Sequence, residues 1–164
     1  NRYVEVTMLL GVVSDTHGYF QPGLKELFRG VDRILHAGDI DAQGVLDALE
    51  EIAPVTAVRG NVDRGRLAAD YPAWLDMEVE GHRLLLIHRG GRVLHAEATL
   101  AAMLEQVRPD IIVYGHTHQA LATWEDGVYL FNPGLGGRPR LGVRPSAGLL
   151  VVEPGRVEGT IHRL

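Results

Sequence analysis

Seven side chains of metal-binding type stand at the ends of apolar stretches: Asp15 and His17, Asp39, Asn61, His88, then His116 and His118. Three offer oxygen and four offer imidazole nitrogen, a mixture that suits borderline and hard divalent cations. The sequence has no cysteine, which excludes thiolate sites and disulfides alike. Seven donors are too many for one four-coordinate ion and suit two. Two cations about 3.5–4 Å apart clamp the attacking and leaving oxygens of an in-line displacement. A carboxylate must bridge such a pair, and Asp39 is the candidate. Asp15 and His17 are two residues apart, as are His116 and His118. On an extended segment such residues point to one side, so each pair is expected to reach one point.

Each donor also has an ordinary reading. Asp15 and Asn61 suit turns, Asp39 suits a loop after a strand, and His88 suits a satisfied core position. The ordered recurrence of all five motifs at strand ends is what favours metal chemistry. His36, three residues before Asp39, keeps two readings: it orients the bridging carboxylate, or it packs at a strand end.

The elements that must carry these residues follow from periodicity. Met8–Val13 reads as a buried strand. Pro22 opens a helix with Leu24, Leu27 and Phe28 on one face. A strand over Val31–His36, a helix over Ala42–Ile52 and a strand over Val55–Val58 follow. Strand alternating with helix predicts a parallel sheet with right-handed crossovers, whose ligands gather at the carboxyl ends of the strands. The second half reads differently. Trp74–Glu80 and Arg83–Ile87 form a hairpin about Gly81-His82, and Ala96–Val107 is a helix stopped before Pro109. Ile111–Tyr114 is a buried strand, and two more hairpins turn at Asp126-Gly127 and Pro154-Gly155. These elements predict an α/β protein with two mixed sheets packed face to face and helices outside.

Length and composition bound the rest. The 164 residues fit one domain, expected over residues 8–164, with residues 1–7 an N-terminal extension ahead of Met8. No apolar run reaches the ~18–20 residues of a membrane span, so no membrane partner is expected. The cysteine-free composition is compatible with a cytoplasmic location. The net charge of −5 argues against a generic polyanion binder and against tight tracking of long nucleic acid. Lys25 is the sole lysine among 16 basic residues. Arg59, Arg64, Arg66, Arg89 and Arg92 fall in the expected active-face loops. Arg89 and Arg92 are candidates to clamp phosphate, with solvated loop charge as the alternative.

The series Asp15-Thr16-His17, Gly38-Asp39, Gly60-Asn61-Val62-Asp63, His88 and Gly115-His116-Thr117-His118 resembles that of the calcineurin-like metallophosphoesterases. The likeness runs from about Met8 to Gly134. Asn132-Pro133-Gly134 is similar to the short branch that includes YfcE-like phosphodiesterases and the retromer subunit Vps29. The resemblance implies a four-layer αββα sandwich, two mixed β-sheets flanked by helices. It implies one ion held by Asp15, His17, Asp39 and His118, and a second by Asp39, Asn61, His88 and His116. Asp39, Asn61 and His88 would then serve catalysis, and Asn61 would also help fix the phosphate. The implied reaction is hydrolysis of a small phosphodiester by in-line attack of a hydroxide bridging two divalent ions. Mn²⁺ is the first expectation, with Zn²⁺, Fe, Ni²⁺ and Co²⁺ as alternatives. Related small enzymes self-associate, which leaves a homo-oligomer open. The rival on the same fold is a non-catalytic, Vps29-like protein-binding scaffold.

The chain departs from the family at three places. Val62 stands where many relatives have a histidine that helps protonate the leaving group. Valine cannot donate a proton, and losing such help costs about 10²–10⁴-fold. That disfavours esters with poor leaving groups. Arg89-Gly90-Gly91 follows His88 where relatives often have Gly-His, and Leu135 replaces a common serine. Both changes bear on substrate contacts.

Overall fold

The computed structural model describes residues 6–90 and 98–164. Arg92 therefore lies outside the described residues, as do the first two positions of the helix expected over 96–107.

Two five-stranded sheets form the centre of the fold. In the first, β1 (Met8–Val13) pairs in parallel with β2 (Arg33–His36), and β2 with β3 (Val55–Ala57). On the other side of β1 lie β9 (Ser146–Glu153) and β10 (Arg156–Arg163), both antiparallel to their neighbours. The second sheet has the order β4 (Trp74–Val79), β5 (His82–Ile87), β6 (Ile111–Val113), β8 (Val128–Asn132), β7 (Leu121–Glu125). Its central three strands are parallel and both edges antiparallel.

Alternation along the strands explains the layering. Leu10 and Val12 of β1 enter the core between the sheets, while Val13 faces outward onto the helices. Leu84 and Leu86 of β5 face inward, and Leu85 and Ile87 face outward. A strand buried on both faces reads as a continuous apolar run, as Met8–Val13 and Leu84–Ile87 do. The outer face of the first sheet is covered by α1 (Gly23–Leu27) and α2 (Gln43–Glu50), through Leu24, Val45, Leu46 and Leu49. The outer face of the second is covered by α4 (Ala98–Val107), through Leu100. Helix, sheet, sheet, helix is the expected four-layer order. No described helix is long and apolar enough to cross a membrane.

Several boundaries differ from expectation. The first hairpin turns at Glu80-Gly81, both at positive φ (47° and 80°), so His82 begins β5. A mirror-type two-residue turn matches the twist of the strands it joins. His82 Nε2 lies 2.9 Å from the Glu153 carbonyl, tying the hairpin to β9. The short helix α3 (Arg66–Asp70) was not anticipated. It buries one residue, Leu67, too weak a pattern to read from periodicity.

Candidate metal centre

All seven candidate donors come to one edge of the sandwich, from loops that follow β1, β2, β3, β5 and β6. Backbone bonds zip these loops together. Asp15 N–H donates to the Gly38 carbonyl (2.9 Å), His17 N–H to the Asp39 carbonyl (3.1 Å), and Gly18 N–H to the Ile40 carbonyl (2.8 Å). Across the two sheets, Gly136 N–H donates to the Ser14 carbonyl at 2.8 Å, and His116 N–H donates to Asp15 Oδ2 at 3.0 Å. His88 Nδ1 lies 2.8 Å from the Ala37 carbonyl and must donate to it.

The donors form two groups, Asp15 with His17 and His118, and Asp39 with His88 and His116. In the first, His17 Nε2 and His118 Nε2 are 3.3 Å apart, and Asp15 Oδ1 lies 3.3 Å from His118 Nε2 and 3.9 Å from His17 Nε2. In the second, His88 Nε2 is 3.1 Å from Asp39 Oδ2 and 2.9 Å from Asn61 Oδ1, which is also 3.1 Å from His116 Nδ1. The expectation that His116 and His118 reach one point is corrected: they belong to different groups. The reason lies in the backbone. Asp15, His17, Asp39, His116 and His118 all have positive φ, between 46° and 69°, so none of these pairs is extended. Non-glycine residues in this region are uncommon and strained, and they cluster at functional sites. Asp39 groups by distance with the second set alone.

Neighbouring side chains hold the donors in place. Ser14 Oγ–H donates to Asp15 Oδ2 at 2.6 Å, and Val62 N–H donates to Asp39 Oδ1 at 3.0 Å. Asp41 Oδ2 sits 3.1 Å from His17 Nδ1, so the ring donates there and leaves Nε2 with its lone pair. Asp63 accepts from the N–H groups of Ile40 and Asp41 (both 2.9 Å) and Gly60 (2.7 Å), stapling the loops after β2 and β3. With three amide donors on its oxygens, Asp63 serves as a positioning group for these loops. Asn132, fully buried, donates to the Gly115 carbonyl (3.1 Å) and to Thr117 Oγ1 (3.0 Å), fixing the loop that carries His116 and His118. At Gly60 a Cβ would strike the Asp39 carboxylate, and at Gly115 it would strike Ser14 Oγ. Glycine is needed there for close approach.

His36 does not reach Asp39 by any described hydrogen bond. Its Nδ1 accepts from Gly38 N–H (3.1 Å) and its Nε2 lies 3.0 Å from Thr16 Oγ1. It therefore holds the two loops that flank the site, as a neutral ring. Burial first, and then the His88 charge, lower its pKa to about 3.

The electrostatics reflect crowded donors. Burial opposes charge on His88, but the hydrogen bond it donates to the Asp39 carboxylate and the charges of Asp15 and Asp39 outweigh it and raise its pKa. Burial works against ionised Asp39, yet the His88 bond, the Val62 amide and the His88 and His17 charges lower its pKa overall. The pKa of His116 is lowered by burial and then by the charges of His88 and Arg89. Asp15 Oδ1 is buried and has no hydrogen-bond partner. A buried carboxylate oxygen left bare beside two imidazole nitrogens is what a divalent cation would satisfy. The donor set therefore fits divalent metal.

Asn61, His116 and Arg89 are exposed, whereas Asp15, Asp39 and His88 are buried, giving a solvent-facing rim over a buried floor. Arg89 borders a cleft of about 420 Å³ with Asn61, His88, Trp74, Ile87 and Met103. Arg59 donates to the Tyr71 carbonyl (2.7 Å) and Arg64 to the Asn61 carbonyl (3.1 Å), so both brace loops. The sequence reading missed Ser14 and Asp41. Asp41 lies two residues after Asp39, but an aspartate there is also an ordinary loop residue.

A two-sheet sandwich with clustered imidazoles and carboxylates at its strand ends defines the metallophosphoesterase class. The sequence profile of the Calcineurin-like phosphoesterase superfamily domain matches residues 8–160, and the chain belongs to that family. It is 35% identical over 163 residues to a "Probable metallophosphoesterase" of Methanothermobacter thermautotrophicus, covering 95% of this chain and 92% of that one. It is 32% identical over 166 residues to phosphodiesterase YfcE of Escherichia coli K12, covering 87% of each. Among solved structures, Vacuolar Protein Sorting 29 from Cryptosporidium parvum superposes with a TM-score of 0.75 at 18% identity, over 96% of this chain and 98% of that one. That likeness concerns the fold alone.

Proposed function

We propose that this chain is a phosphodiesterase acting on small phosphate esters at a centre of two divalent cations. The observation that carries the reading is Asp15 Oδ1, buried without a donor and facing His17 Nε2 and His118 Nε2. The family supports metal-dependent phosphoester chemistry in general. In the proposed arrangement Asp15, His17, Asp39 and His118 hold one ion, and Asp39, Asn61, His88 and His116 hold the other. Mn²⁺ is the first candidate. Bound there, the ions would activate the nucleophile and neutralise charge on the phosphoryl oxygens.

The chain's own groups supply orientation. His88 is fixed by the Ala37 carbonyl and His17 by Asp41, each with Nε2 directed into the site. Asn61, on the rim, would position phosphate as well as ligate, and exposed Arg89 lines the same cleft. Val62 offers neither proton nor hydrogen bond from its side chain, so the leaving group departs without acid help from this position. That favours diesters with good leaving groups over monoesters.

The test is turnover of bis(p-nitrophenyl) phosphate against p-nitrophenyl phosphate with Mn²⁺ added. The diester should be preferred. Failure to turn over either ester with Mn²⁺, Zn²⁺, Ni²⁺ or Co²⁺ would move the reading to a protein-binding scaffold.

A further inference from the structure

The site is flanked on its His118 side by a groove of about 480 Å³, lined by His118, Gln119, Val143, Arg144, Ser146 and Arg163 among others. That volume suits a ligand of nucleotide size. Among the described residues no carboxylate lines it, in a chain carrying 21 acidic residues. Its two guanidiniums are exposed and have no carboxylate partner among the described residues. Arg29, Arg83 and Arg156, by contrast, are all paired with Asp or Glu. A groove of about 370 Å³ elsewhere has the opposite character, with Asp76, Glu78 and Asp110 around the paired Arg83.

Local geometry sets Arg144 where it is. Arg140 and Val143 exchange backbone bonds (3.2 and 2.8 Å) around Leu141 and Gly142, both at positive φ, making a tight turn just ahead of Arg144. Ser146 pairs with Arg163 across β9 and β10, and Ser146 Oγ–H donates to the Pro133 carbonyl at 2.7 Å. Both arginines are thus carried at the same end of the β9–β10 ribbon. His118, which lines the groove, is also a proposed metal donor, so the groove adjoins the proposed reaction centre.

We infer that this groove is a second anion subsite, where Arg144 and Arg163 bind a further phosphate or carboxylate on the group esterified to the reacting phosphate. The inference rests on the proposed phosphodiesterase reading and names its substrate class: diesters with an additional anionic group, rather than neutral diesters.

Two esters with the same leaving group test it: p-nitrophenyl thymidine 5′-phosphate, and the same ester bearing a 3′-phosphate. Wild type should prefer the second in kcat/KM at low salt by about tenfold or more, the worth of a charge-assisted hydrogen bond. That ratio should fall to about one in Arg144→Ala/Arg163→Ala and stay near the wild-type value in Arg29→Ala/Arg156→Ala, which removes equal charge at residues that do not line the groove. Calorimetric binding of thymidine 3′,5′-bisphosphate, with metal present and after chelation, should weaken about tenfold in the double variant. Equal kcat/KM for the two esters, or bisphosphate binding unaffected by the double substitution, would overturn the subsite. Arginine-dependent binding without turnover of either ester would support the subsite and overturn the phosphodiesterase reading instead.

Discussion

The two donor groups use the same chemistry but differ in what can satisfy them. Around Asn61, a single proton on His88 Nε2 answers both Asp39 Oδ2 at 3.1 Å and Asn61 Oδ1 at 2.9 Å. That group can persist as a hydrogen-bonded cluster. Around Asp15, a proton shared between His17 Nε2 and His118 Nε2 still leaves Asp15 Oδ1 bare. An unsatisfied buried polar atom costs roughly 1–3 kcal/mol, and more when charged. In the proposed centre a cation would therefore complete the first group, whereas the second would merely exchange a proton for one. Metal binding to the second group must displace that proton, because ligating imidazole is neutral, and the raised pKa of His88 makes this harder as pH falls.

The largest effect is expected where the groups are proposed to join. Asp39→Asn removes the bridging charge, and the several kcal/mol that a metal pair supplies correspond to activity loss on the order of 10³-fold. Activity assays and metal content by elemental analysis check this; full activity in the variant would remove the bridge. Next is metal-linked stability. Free metal at 100 times its dissociation constant should stabilise the fold by about 2.7 kcal/mol, seen as a fall in Tm on chelation. Asp15→Asn should lose more of that shift than His88→Gln; equal losses would erase the contrast between the groups.

Asp41→Asn loosens His17 alone and should weaken metal binding about 10–100-fold, as such orienting partners typically do. Calorimetry should resolve this as a change at one of two sites. A pH-dependent effect is expected at His36, which ties the loops of Thr16 and Gly38. Its folded pKa of about 3 lies below the ordinary histidine value of 6.5, so the unfolded chain takes up the proton first. Stability contributed by neutral His36 is complete above pH 6.5 and is lost as pH falls toward 3, by up to about 1.36 kcal/mol per unit. Urea midpoints across pH 4–7 should show a shallower slope in His36→Asn than in wild type.

Much of this was legible in the amino-acid order because each donor closes a buried apolar run. Val12-Val13 before Asp15, Leu35-His36 before Asp39 and Ile112-Val113 before His116 announce strands that end at one edge. The parallel pattern then brings those ends together. What could not be read depends on loops meeting in space. The Asp63 staple joins residues 23 positions apart, and the left-handed backbone that divides His116 from His118 is encoded by no periodicity, although the family resemblance assigns the two to different ions. Arg144 and Arg163 belong to one groove only because β9 and β10 pair in a particular register. Helix α3 escaped notice because one buried leucine sets no repeat.

Anomalous diffraction from crystals grown with Mn²⁺ tests the central claim most directly. Two peaks about 3.5–4 Å apart are expected, one bounded by Asp15, His17 and His118, the other by Asn61, His88 and His116, with Asp39 reaching both. A single peak, or none while the seven side chains hold their places, would contradict a two-cation centre.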